Sequence, residues 1–348
     1  MRHTRTTRMR RLFIAGAFAA AASLLAACSA PAGGDGDADP APEPAEETIQ
    51  VAFLSFAVAN TYDTPMLEAA QQVADANNVE MTVFDANNDP NAQAAQLQDA
   101  IASGQYDGII TQPIYGPGLI DGVLQAIDAG IKVVNVDQIL GEDFTTAEVQ
   151  VAGLSANVSQ RPADMGRKLG EQTVAACASQ NLDPCRVGYL YDIKASALDV
   201  AMRDAWDAAV AGSPVTVVAD GETFFNPANA LTVVQDMLTA HPDIEVIVGS
   251  DQGMQGADQA LEAAGSMGEI ILVGFGGSEQ SVAAVADGRW FSSVMMVPAT
   301  SGKLAMEAVV DAIRNGNDQG TVDPFADLPH EWIVTQETAS EFSPEWPG

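Results

Sequence analysis

The sequence predicts an α/β protein built on parallel sheets with helices on both faces. Three observations carry this. From Ile49 onward, short β-branched runs alternate with stretches of about 12 to 18 residues that have helical periodicity and are rich in Ala, Leu, Gln and Glu. The runs are nearly continuous in apolar character, as strands buried on both faces must be. The 348 residues leave room for two compact domains of ordinary size.

Taken in order, the predicted strands are Gln50 to Leu54, Met81 to Phe84, Gly108 to Thr111, Lys132 to Val136 and Val151 to Leu154. A second group follows at Val187 to Tyr191, Val215 to Val218, Val246 to Val248, Ile270 to Val273 and Ser293 to Met296. Helix starts are chemically marked at Asp89-Pro90 and Asn226-Pro227, where a capping side chain precedes a proline that fits the first turn. Gly274-Phe275-Gly276-Gly277 reads as a tight strand-to-helix turn.

The first residues are of another kind. Arg2, Arg5, Arg8, Arg10 and Arg11 precede an apolar, small-residue run from Leu12 to Ala27, too short to span a bilayer. Residues 1–27 are therefore expected to be a signal peptide. The Arg10-Arg11-Leu12-Phe13-Ile14 stretch leaves open export by a twin-arginine route. Leu25-Ala26-Ala27-Cys28 resembles the lipobox of bacterial lipoproteins, which implies a lipid on Cys28 and a place on the outer face of the cell membrane. Residues 28–47, almost wholly Ser, Ala, Pro, Gly, Asp and Glu, read as a tether. With Cys28 assigned to lipid, Cys177 and Cys185 are expected to form a disulfide between a helix end and the next strand, with a pair of buried thiols as the other reading.

Fifteen Lys and Arg stand against 47 Asp and Glu, and five of the fifteen precede the first acidic residue, Asp35. So acidic a chain repels phosphate backbones, so no nucleic acid partner is expected. At 47% apolar and 18% charged residues, the chain is neither disordered nor a polytopic membrane protein. No glycine follows the first strand, where a dinucleotide would need bare backbone amides. No cofactor or metal site is called for, and His241 and His330 lie at no strand end. No catalytic residue is assigned.

A doubly wound sheet places ligands outside the carboxyl ends of its strands. Those ends carry Asn60, Tyr62 and Asp63; Gln112; Asp137 and Gln138; Asp192; and Asp251 and Gln252, with Phe225 in a turn before a helix. Planar amides and carboxylates bind hydroxyls in pairs, and aromatic rings cover the C–H faces of a sugar or polyol. The set points to a small hydroxylated solute.

Several stretches, among them Asn60-Thr61-Tyr62-Asp63, Asp85-Ala86-Asn87-Asn88-Asp89-Pro90, Ile131 to Asp137, Leu238 to Asp243 and Val273 to Gly277, carry a resemblance. From Ile49 to about Val334 the chain resembles the periplasmic sugar-binding proteins of the ribose, galactose and xylose type, the type I solute-binding proteins of ABC importers. The resemblance implies two lobes joined by three crossings, here near Ser155 to Asn157, near Met296 to Pro298, and between Pro324 and His330. One lobe would comprise residues 48–155 and 298–325, the other 156–297 and 326–348.

It also implies site roles. Asn60 and Asp137 match the family's hydroxyl-binding residues, and Tyr62 and Phe225 its stacking aromatics. Asp63, Gln112, Gln138, Val200, Ser250, Gly276 and Met296 depart from the usual residues, so a short polyol, a modified sugar or a ligand with an apolar portion facing Met296 and Val200 is expected. The implied function is capture of a small sugar, polyol or related solute by a monomer, and delivery to an ABC permease. A sensor reporting the same solute to a membrane receptor is the alternative. An enzyme is not expected.

Overall fold

The computed structural model describes residues 47–348; the expected signal peptide, Cys28 and all but the last residue of the expected tether lie outside them. Twelve strands are found among the described residues, six in each of two sheets.

The first sheet contains β1 (Ile49–Ser55), β2 (Val79–Asp85), β3 (Gly108–Thr111), β4 (Lys132–Asp137), β5 (Ala156–Ser159) and β11 (Gly320–Val322), in the order β11-β5-β4-β3-β1-β2. The second contains β6 (Cys185–Tyr191), β7 (Val215–Glu222), β8 (Val246–Ser250), β9 (Ile271–Gly276), β10 (Ser292–Met295) and β12 (Ile333–Thr335), in the order β12-β10-β9-β8-β6-β7. The two orders are equivalent, so each half repeats one winding. All pairings are parallel except that of β12 with β10.

The central strands are buried on both faces because helices cover both. On the first sheet, α1 (Asp63–Ala76) and α9 (Pro298–Asn315) cover one face, and α2 (Pro90–Ser103) and α3 (Gly116–Asp128) the other. On the second, α4 (Pro162–Ser179) and α5 (Ala197–Val210) lie opposite α6 (Pro227–Ala240), α7 (Asp251–Ala264) and α8 (Glu279–Ala286). At Gly302 a Cβ would stand 2.0 Å from the Met66 carbonyl oxygen, so only glycine lets α9 lie this close to α1. The marked helix starts are as expected: Asp89 accepts from the Asn91 and Ala92 N–H groups, and Asn226 from those of Ala228 and Asn229.

Three expectations are corrected. Val151 to Leu154 is a turn, with Gly153 at φ +84° and the Leu154 N–H donating to Val151 O at 3.2 Å; Val151 and Leu154 are buried as anchors, and the strand is Ala156–Ser159. Because β5 pairs with β4 and β11, residues 156–159 belong to the first sheet, and the chain crosses at Gln160 and Arg161. The third crossing starts after Val322, since Phe325 stacks on Trp332 at 4.3 Å within the core of the second lobe. Residues Cys177 and Cys185 are joined by a disulfide that ties the last turn of α4 to the start of β6.

Candidate ligand-binding site

Both sheets aim the C-terminal ends of their strands at one cleft, where the loops line a hollow of about 470 Å³ that includes space open to solvent. The first lobe supplies Phe56, Asn60, Tyr62 and Asp63 after β1, Gln112 after β3, and Asp137 and Gln138 at the end of β4. The second supplies Leu198, Phe225, Ser250, Gln252, Phe275, Gly276 and Met296.

Asp137 is the best-supported group in the cleft. Its backbone is left-handed at φ +67°, a conformation aspartate tolerates better than most residues. The Gln138 N–H donates to Val136 O at 2.8 Å and the Gln160 N–H to Asp137 O at 2.9 Å, which holds this turn. Oδ1 accepts from the Tyr62 hydroxyl and Gln160 Nε2, both at 2.9 Å, and Oδ2 from Gln138 Nε2 at 2.9 Å and Gln112 Nε2 at 3.2 Å. All four acceptor positions of the carboxylate are therefore taken. Burial still holds its pKa above the usual carboxylate range, against those hydrogen bonds.

Asp63 is linked to it. Gln112 Nε2 also donates to Asp63 Oδ1 at 2.7 Å, and the Ala57 N–H donates to Oδ2 at 3.2 Å. Burial, and Asp137 nearby, raise the Asp63 pKa to about 7. Gln112 is itself fixed by accepting from the Phe56 N–H at 3.0 Å, and its loop by Gln93 on α2, which donates to Gln112 O and accepts from the Ile114 N–H.

Across the cleft, Phe224 and Phe225 both have positive φ, and the consecutive left-handed pair turns the Phe225 ring inward. Gln252, 6% exposed, lines the cavity with no hydrogen-bond partner for its amide among the described residues. Asn60 accepts from the Tyr62 N–H through Oδ1 at 2.9 Å, leaving its amide nitrogen unengaged.

The structure thus brings Asn60, Tyr62, Asp63, Gln112, Asp137, Gln138, Phe225, Gln252 and Met296 together and leaves out two expected site residues. Asp192 does not reach the cavity: its Oδ1 accepts from the Thr223 and Ser250 hydroxyls, each at 2.7 Å, and so braces the loops behind the wall. Asp251 likewise points back, accepting from the Ser278 N–H at 2.7 Å and the Ser293 hydroxyl at 3.3 Å. Val200 also lies away from the cavity, 44% exposed on the outer side of α5.

Phe56, Leu198, Phe275, Gln160 and Trp346 escaped the sequence reading. Gln160 was hidden by the misplaced strand, since it follows β5 as Gln112 follows β3. Trp346 carries no sequence signal. Its indole N–H donates to Gly276 O at 2.8 Å and its ring meets Tyr62 edge to face at 5.4 Å. Gly276 permits this with φ +139°; a Cβ there would stand 2.6 Å from Asp251 Cγ and 2.9 Å from the Trp346 ring.

Two wound sheets that present strand ends to a shared amide and aromatic cavity define a two-lobed binding protein. The periplasmic binding protein domain family matches residues 51–318, and the chain belongs to that family. Ribose import binding protein RbsB of Bacillus subtilis is 25% identical over 264 residues, 76% of this chain and 81% of the relative. The xylitol-binding protein of Mycolicibacterium smegmatis is 27% identical over 273 residues, 78% and 73% of the two chains. A solved ABC transporter solute binding protein from Mycobacterium smegmatis with bound glycerol superposes with a TM-score of 0.73 at 24% identity, over 87% of this chain and 100% of its own. These relatives are solute-binding proteins, not enzymes.

Proposed function

We propose that this chain is a lipid-anchored, extracytoplasmic receptor that clamps a small sugar or polyol between its lobes and hands it to an ABC permease. One observation carries the reading: a cavity walled by strand ends of both sheets, in which the Gln252 amide and the Asn60 amide nitrogen have no protein partner among the described residues. A ligand that bonds to both walls adds its contacts only when the lobes are closed, and so shifts that population. Ribose, xylitol and glycerol in the names of the relatives support a hydroxylated ligand.

In this reading Asn60, Gln138 and Gln252 bond to ligand hydroxyls, while Tyr62, Phe225, Met296 and Trp346 cover its C–H faces. Asp137 and Gln112 hold the wall in place. The Leu25-to-Cys28 lipobox and the tether to residue 47 support anchoring beside a membrane permease.

A thermal-shift screen of glycerol, xylitol, ribose and myo-inositol tests the binding. A true ligand at a hundredfold excess over its Kd adds about 2.7 kcal/mol of stability. The reading fails if no sugar or polyol shifts the transition, or if Gln252→Ala binds as tightly as wild type. For the anchor, Cys28→Ser should move the protein from the membrane fraction to the soluble one.

A further inference from the structure

The cleft has an unbalanced charge. Asp63 and Asp137 are each 2% exposed, and both border the cavity. One amide, Gln112 Nε2, bridges them at 2.7 and 3.2 Å, and among the described residues neither forms an ion pair. No Lys, Arg or His lines this cavity or the two hollows that adjoin it at the mouths of the cleft. A buried carboxylate without a cation is costly to keep ionised, whereas one paired with a hydrogen-bonding cation is not.

The two carboxylates differ in what they still offer. Asp137 has its four acceptor positions filled by Tyr62, Gln112, Gln138 and Gln160. Asp63 accepts only from Gln112 and the Ala57 N–H, so two positions remain open. The side-chain carbonyl of Gln138 and the unpartnered amide of Gln252 add neutral acceptors on facing walls. The remaining wall is aromatic, with Phe56, Tyr62, Phe225 and Trp346, and ring faces attract cations. An ammonium group would meet a carboxylate with room for its protons, a second negative charge behind it, and rings around it.

We propose that the solute carries a positive charge on its hydroxylated frame, making it an amino alcohol or amino sugar, with its ammonium group on Asp63 and its hydroxyls on Gln252 and Asn60. This rests on the reading of the cleft as a polyol site and narrows it. A neutral polyol leaves Asp63 facing Asp137 and Asp85 with no opposing charge, and burial keeps its pKa raised to about 7.

Isothermal titration of the full chain with matched pairs tests this: glycerol against 3-amino-1,2-propanediol, and xylitol against 1-amino-1-deoxyxylitol. At pH 7.5 each amine should bind at least tenfold more tightly than its neutral partner, and the ratio should fall to about threefold or less in Asp63→Asn. Should that variant fail to fold, proton counting on the wild type replaces it. At pH 6, titrations in buffers of different ionisation enthalpy should show about one proton released per amine bound and none per neutral polyol. Neutral ligands that bind as well as the amines, or amine binding without proton release, overturn the inference and leave the polyol site standing. If no member of either series binds, the inference falls, while the polyol reading stands or falls with the ribose and myo-inositol arms of the thermal-shift screen.

Discussion

The hydroxyl of Tyr62 donates to Asp137 Oδ1 at 2.9 Å inside the cleft, and the same ring packs edge-on against Trp346. The pair joins the start of α1 to the end of β4. Asp137 holds three glutamine side chains as well, so its role is to fix the wall that faces the ligand.

Asp137→Ala should therefore be felt in stability before it is felt in binding. It strands four buried donors, for a loss on the order of 3 kcal/mol or more. Tyr62→Phe removes one hydrogen bond to a charged acceptor and should cost about 1.5 to 3 kcal/mol. Urea unfolding measures both; a midpoint unchanged in either variant contradicts this account of the wall.

Stability should fall as pH rises from about 4 to about 7. Burial chiefly pushes Asp63 and Asp192 up to about 7 and Asp251 up to about 6, while in the unfolded chain all three titrate near 3.8. Across that window the native state binds more protons than the unfolded state, so each unit of pH costs stability, and the loss levels off above the folded values. Melting should occur at a higher temperature at pH 5 than at pH 8. Asp63→Asn removes one of the three groups and should flatten the slope; a slope of opposite sign in the wild type contradicts the burial argument.

Gly276→Ala should unsettle the floor of the cleft. The new methyl carbon has a strained backbone, at φ +139°, and stands 2.6 Å from Asp251 Cγ and 2.9 Å from the Trp346 ring. Overpacking and strain together should cost about 2 kcal/mol or more. Tryptophan emission should shift to the red as Trp346 leaves its slot, where it is now 2% exposed.

The C-terminal segment acts as a strap between lobes. Trp346 O and Pro347 O accept from the Glu279 and Gln280 N–H groups at the start of α8, while the Glu345 carboxylate accepts from the Thr300 N–H at 2.9 Å and from its hydroxyl, in the first turn of α9. The first N–H groups of a helix lack partners one turn back within it and lie at its positive dipole end, where a carboxylate is favoured. Glu345→Ala should cost about 1 kcal/mol and speed hydrogen exchange at the Thr300 amide. Unchanged exchange there would show that the clasp does not persist in solution.

Much of the fold was legible because strands buried on both faces are dominated by apolar, β-branched residues. Lys132 to Val136 and Gly108 to Thr111 show it in their residues alone. β5 was not legible, since Ala156-Asn157-Val158-Ser159 alternates apolar and polar side chains, and Asn157 is satisfied only by Asn135, Ser159 and Ala147 O in the folded state. The apolar Val151 and Leu154 nearby gave a stronger local signal for a strand that does not exist.

Local chemistry determined the order of elements, the helix caps and which side chains stand at strand ends, because periodicity and capping act over a few residues. Which of those side chains face the solute was decided only in three dimensions. Asp137, Asp192 and Asp251 all stand at strand ends, yet only Asp137 reaches the cavity, because the hydroxyls of Thr223, Ser250 and Ser293 draw the other two back. Trp346, distant in sequence from Tyr62, joins the site for the same reason: a buried indole goes where its ring finds a partner and its N–H an acceptor, and the folded chain brought Tyr62 and Gly276 O together there.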